Sequence, residues 1–117
     1  MMKEILQSYL EERLPLPGFA AWCAQLPDRT FMSHCYTDWF SPPQLEKIFG
    51  RLLITAEKVA QHGIQPVRVS WVFEHARIHL SRNSNGSWLA CFVENRPDLE
   101  NEPLEQLMNE FVTLRQA

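Results

Sequence analysis

The sequence predicts an α+β fold of three layers, α/β/α, with a five-stranded antiparallel sheet between helices on both faces. Three observations predict it: three segments carry apolar residues at helical spacing, five shorter ones read as strands, and two of those five are apolar on both faces. A strand apolar on both sides needs cover on both sides, so helices must lie above and below the sheet. The 117 residues suffice for one hydrophobic core, read as a single domain over 1–117. With 45% hydrophobic and 21% charged residues, the composition is too apolar for disorder.

In the first segment Ile5, Leu6, Tyr9, Leu10 and Leu14 fall at helical spacing between Lys3, Glu4, Glu11 and Glu12. Pro15 and Pro17 end this helix, because neither donates an amide and each disfavours the α region in the residue before it. Gly18 then releases the chain into a strand over 18–25 with apolar residues on both faces. "LPDR" reads as a turn, with the φ of Pro27 pre-set and Asp28 able to bond nearby backbone. The strand over 30–36 mixes polar and apolar positions, which suits an edge.

The segment after "SPPQ" is the clearest helix. Ser41 is its N-cap, Pro42 fits the first turn, Gln44 completes a capping box, and Gly63 suits the left-handed residue past the end. Leu45, Ile48, Phe49, Leu52, Ala56 and Val59 form its apolar stripe. Gly50 lowers helix propensity and is expected to mark a close approach to a neighbour. Ile54 lies on the far side, beside Lys47, Arg51 and Lys58.

Two hairpins follow. Val67, Val69, Trp71 and Phe73 alternate with Arg68 and Ser70, and Ala76, Ile78 and Leu80 alternate with Arg77, His79 and Ser81. A two-residue turn at Glu74-His75 sets Trp71 opposite Ile78 and Val69 opposite Leu80. A second, at Asn85-Gly86, sets Leu80 opposite Cys91, Ile78 opposite Val93 and Arg77 opposite Glu94 as an ion pair. "WLACFVE" is apolar on both faces, and Leu104, Leu107, Met108 and Phe111 return to helical spacing. The order is α-β-β-α-β-β-β-α. Strands 18–25 and 87–94 are central neighbours, while 30–36 and 67–73 are edges. The sheet order is then 2-1-5-4-3, with the middle helix on one face and the terminal helices on the other.

The chemistry of the chain argues against an enzyme. A net charge of −3 disfavours a nucleic-acid partner. The longest uncharged apolar runs, such as 18–26, fall far below the roughly 18 to 20 residues of a membrane span. The acid-bearing N-terminus lacks a secretory apolar core, and three cysteines without a CxxC pair suit reduced thiols, so the cytoplasm is the expected compartment. His34 and Cys35, as strand neighbours, point to opposite faces and cannot form a dyad. His75 and His79 would stand about 13 Å apart in strands, too far for one metal ion. His75 reads as a turn residue and His79 as a partly exposed strand residue. Cys23 and Cys91 sit in apolar strands as inert core thiols. The acids Glu94, Asp98, Glu100, Glu102 and Glu105 read as a solvated loop and helix start. No catalytic, cofactor-binding or metal-binding residues are therefore assigned, and no cofactor.

The edge strand "VRVSW" raises a different question, because its unpaired backbone groups need cover that a second copy could give. Ile54 would then be a contact residue; equally, it reads as an isolated exposed apolar side chain.

Three stretches carry a family resemblance: "LPGFAAWCAQLPDRTFMS", the capped helix from Ser41 to His62, and "NGSWLACFVENRPDLE" before the terminal helix. In element order over nearly its whole length, the chain resembles the Roadblock family of dynein light chain-like proteins, with a Roadblock/profilin-like topology. It departs from the family at Pro27-Asp28-Arg29, where an acidic residue followed by glycine is common. The resemblance implies a non-enzymatic homodimeric regulator or scaffold, with a small Ras-like GTPase or scaffold protein as partner. It also implies dimerisation through the third strand and middle helix, which makes Lys47, Arg51, Ile54, Lys58, Val67, Arg68, Val69, Ser70 and Trp71 the candidate dimer or partner interface. The alternative is a chaperone-like adaptor, similar to type III secretion chaperones, that holds an extended peptide along a sheet edge or apolar groove. That fold usually places three strands before the middle helix, where two are read here.

Overall fold

The computed structural model describes residues 2–64 and 67–114; Pro66, where the β pattern begins in sequence, lies outside them. The elements are α1 (Met2–Arg13), β1 (Phe19–Gln25), β2 (Phe31–Cys35), α2 (Pro42–Gln61), β3 (Arg68–Val72), β4 (Ala76–Arg82), β5 (Trp88–Glu94) and α3 (Glu102–Thr113). The strands form one antiparallel sheet in the order β2-β1-β5-β4-β3, as expected. Each face carries its own core. Trp22, Ala24, Leu89, Cys91 and Val93 pack with Leu6, Leu10, Leu104, Met108 and Phe111 of α1 and α3. Cys23, Ile78, Leu80, Ala90 and Phe92 pack with Leu45, Phe49, Leu52, Leu53 and Ala56 of α2. Burying a side chain such as Leu10, Phe92 or Phe111 contributes roughly 1.5–3 kcal/mol.

Local chemistry sets the element ends. Ser41 Oγ accepts from Gln44 N at 3.4 Å and Gln44 Oε1 accepts from Ser41 N at 2.9 Å, completing the capping box. Gly18 has φ +75, and a Cβ there would overlap Leu99 Cδ1, so glycine is required on two counts. In the first hairpin Asp28 Oδ1 accepts from Thr30 N at 2.9 Å. Arg29 takes φ 71 there, the conformation that a glycine after the acidic residue would adopt freely.

Four expectations need correction. Gly50 marks no close approach, since a Cβ built on it meets nothing within 4 Å; it stands on the exposed side of α2. Val59 is 37% exposed and Leu53 is buried, because the buried arc of α2 centres between Leu45 and Leu53. At about 100° per residue, Val59 falls on the flank of that arc. His79 is buried, covered by α3, with only 6% of its surface exposed.

The fourth correction is the β4–β5 register. Leu80 faces Ala90, Ile78 faces Phe92 and Arg77 faces Val93, one residue away from the expected pairing. The cause is the turn: Asn83 N donates to Ser87 O at 2.8 Å and Gly86 takes φ +97, which makes a three-residue loop of Ser84, Asn85 and Gly86. β5 is apolar on both faces, so its own pattern accepts either register. The Arg77–Glu94 pair therefore does not form. Arg77 Nη1 donates to Asn101 Oδ1 at 2.8 Å, and Glu94 pairs with Arg96 at 3.0 Å.

Candidate interaction surface

The two ends of the sheet are its open features. At the β3 end, Arg82 N donates to Val67 O and Phe73 N donates to Ala76 O. With Val69 opposite Leu80 and Trp71 opposite Ile78, residues 67, 69, 71 and 73 turn their backbone groups toward β4. Arg68, Ser70 and Val72 consequently turn theirs outward, to an edge that no described strand covers.

Side chains at this end divide by face. Val69 and Trp71 lie on the α2 side, where Trp71 packs against the α2 core and Val69 is half-buried. α2 lies over β1 and β2, which leaves the β3 end of that face partly uncovered. Val67 is 57% exposed, Phe73 52%, and Val72, on the opposite face, 70%. Together they form an apolar margin along the open edge. Lys47, Arg51, Ile54 and Lys58 are exposed on the outward side of α2, with Ile54 at 55%. Thus Val67, Val69 and Trp71 share the α2 side of the molecule with the helix residues. Arg68 and Ser70 belong to the other face and contribute to this surface only through their backbone.

The side chains of Arg68 and Ser70 are engaged on the α3 side of the sheet, in a polar strip that the sequence reading missed. Arg68 forks onto Glu105, with Nη2 donating to Oε1 at 2.8 Å. This pairing holds the Glu105 carboxyl below its usual range. Ser70 Oγ lies 2.7 Å from His79 Nδ1, and Arg68 Nη2 lies 3.4 Å from the same nitrogen. With a guanidinium donor on that side, Nδ1 acts as acceptor and the proton sits on Nε2, which is buried without a partner. Burial first, then Arg68 and Arg77, push the His79 pKa down to about 4. Just past β4, buried Asn83 donates through Nδ2 to Phe111 O at 2.6 Å and Leu114 O at 2.8 Å, tying the end of α3 to the hairpin. The alternation of Arg77, His79, Ser81 and Asn83 was visible in sequence, but it looks the same as a solvated strand face.

The groups weighed for catalysis stand apart. Cys23 and Cys91 are buried on opposite faces, and burial raises both thiols above the ordinary range. His75 is exposed in the β3–β4 turn. Arg96 lies 3.0 Å from Glu94 and 3.5 Å from Asp98, so part of the acidic loop is paired. Among the described residues no three His, Cys, Asp or Glu side chains gather as a metal site, and no helix is long and apolar enough to cross a membrane.

No family model and no curated relative matches the sequence. Solved structures do match the fold. Myxococcus xanthus MglB aligns with a TM-score of 0.61 at 8% identity, covering 95% of this chain and 91% of its own. A structure described as MglB with tetrameric arrangement aligns with a TM-score of 0.56 at 9% identity, covering 95% of this chain and 85% of its own. The chain therefore has the Roadblock-type fold that the sequence resemblance implies, shared with MglB over nearly its whole length.

Proposed function

We propose that this chain is a non-enzymatic regulator or scaffold that works as a homodimer through β3 and the outward side of α2, the paired helices also meeting a partner protein. The observation that carries the reading is the open β3 edge, with outward backbone groups on Arg68, Ser70 and Val72 beside exposed Val67 and Phe73. Antiparallel pairing of two copies about a twofold axis uses all three residues only if Ser70 meets its counterpart and Arg68 of one copy meets Val72 of the other. Ile54 and Gly50 lie on the exposed side of α2, on the same side of the sheet as Val69 and Trp71, with Lys47, Arg51 and Lys58 around them as cationic contacts. The Roadblock resemblance supplies the partner class, a small Ras-like GTPase. One MglB structure is described with a tetrameric arrangement, which supports reading this chain as one that also assembles with further copies.

The test is covalent capture. Hydrogen-bonded antiparallel partners have Cα atoms about 5.5 Å apart, within the span of a disulfide. Ser70→Cys in a Cys35→Ser background is expected to give a disulfide-linked dimer on mild oxidation. Val69→Lys and Ile54→Asp are expected to shift the uncaptured protein toward monomer in sedimentation while its circular dichroism stays unchanged. A wild-type protein that remains monomeric at micromolar concentration and resists capture would refute the assignment.

A further inference from the structure

We propose that the other end of the sheet, the outer edge of β2 with the groove between it and α1, holds an extended peptide of a partner protein, which adds to the sheet as a further strand. The proposal stands apart from β3 pairing, since it uses the opposite edge. Tyr36 N donates to Ala20 O and Leu26 N donates to Thr30 O. With Trp22 opposite His34 and Ala24 opposite Met32, the even-numbered residues of β2 bond to β1. Phe31, Ser33 and Cys35 turn their amides and carbonyls outward, and only an extended backbone satisfies such a row.

Beside this edge lies a groove of about 400 Å³ with Leu14, Trp22 and Met32 among its apolar walls and Lys3, Gln7 and Glu11 along its α1 side. Trp22 is 4% exposed, and it lines the groove together with Tyr36. The groove thus combines apolar walls with a charged rim. Charge sets the polarity of the occupant. Lys3 and Glu11 are eight residues apart in sequence, about 12 Å along the helix, which matches the roughly 13 Å between same-face strand residues four apart. The fitting occupant therefore carries an acidic and a basic residue four apart, with an apolar residue midway to enter the groove.

The probes are two capped peptides, Thr-Val-Glu-Thr-Leu-Thr-Lys-Val-Thr and its charge-swapped form with Lys first and Glu last, titrated into the isotope-labelled full chain. One form is expected to bind better by about threefold, the scale of an exposed ion pair, and to shift and protect the Ser33 and Cys35 amides. Lys3→Glu should reduce or reverse that preference. Ser33→Pro removes one outward N–H without touching the β1 ladder, and should weaken binding about fivefold. If that variant misfolds, Lys3→Glu still decides. Absence of shifts at millimolar peptide, shifts confined to Arg68, Ser70 and Val72, or a preference that Lys3→Glu leaves untouched would overturn the proposal.

Discussion

His79 is the residue whose environment differs most from what its position in an alternating strand suggests. It faces Arg68 and Ser70 from β3, Glu105 from α3 and Cys91 from β5, and Arg77 stands two residues away on its own strand. Its folded pKa of about 4 lies below the ordinary 6.5, so the unfolded chain binds the extra proton first. Stability is full above about pH 6.5 and falls as pH drops toward 4, by about 3 kcal/mol in all. Denaturation at pH 7 and pH 4.5 should show this loss, and His79→Gln should flatten it; equal midpoints for the wild type would contradict the account. The Arg68–Glu105 pair has a lower window, because a carboxylate with a depressed pKa loses its contribution only below its unfolded value near 4.5. Gly18 makes a second prediction at this scale. Gly18→Ala must place a side chain at φ +75 and displace Leu99, so denaturant titration should show a loss of about 1–2 kcal/mol.

At the scale of elements, the β4–β5 hairpin shows how a turn overrides a pattern. In β3 and β4, apolar and polar residues alternate, so a slip of one residue would bury the wrong face; their pairing was legible and is observed. β5 is apolar on both faces and cannot enforce a register, which leaves the decision to the loop. The loop is held by Asn83, whose Oδ1 accepts from Asn85 N at 2.9 Å while its amide donates to α3 carbonyls. Asn83→Asp keeps the acceptor and turns the donor into a carboxylate facing carbonyl oxygens. We expect it to destabilise the fold by about 2–3 kcal/mol in denaturant titration, and at least as much as Asn83→Ala. If the aspartate variant equals wild type, the tie to α3 is not what sets this turn.

For the whole molecule, the sheet has two edges that no described strand covers, and their chemistry differs. The β3 edge is flanked by exposed apolar side chains, which favours a large interface with another copy; the β2 edge borders a groove with charges at its rim, which favours a single strand. A dimer through β3 predicts a thermal midpoint that rises with protein concentration, and Val69→Lys should remove that dependence. A midpoint independent of concentration in the wild type would argue for a monomer.

The sequence by itself determined the element order, the central pair of strands, the strand order and the separation of the middle helix from the two terminal helices onto opposite faces. Each follows from local periodicity, from capping and proline chemistry, and from the need to cover β1 and β5 on both sides. Gly18 and Ser41 were legible because their chemistry is local. The tertiary structure decided what local pattern leaves degenerate: the register of β5, the burial of His79 under α3, the use of Arg68 as an anchor for α3, and the groove at Trp22. In each case a polar or apolar residue at one sequence spacing is compatible with either water or another element, and only the packed neighbour distinguishes them.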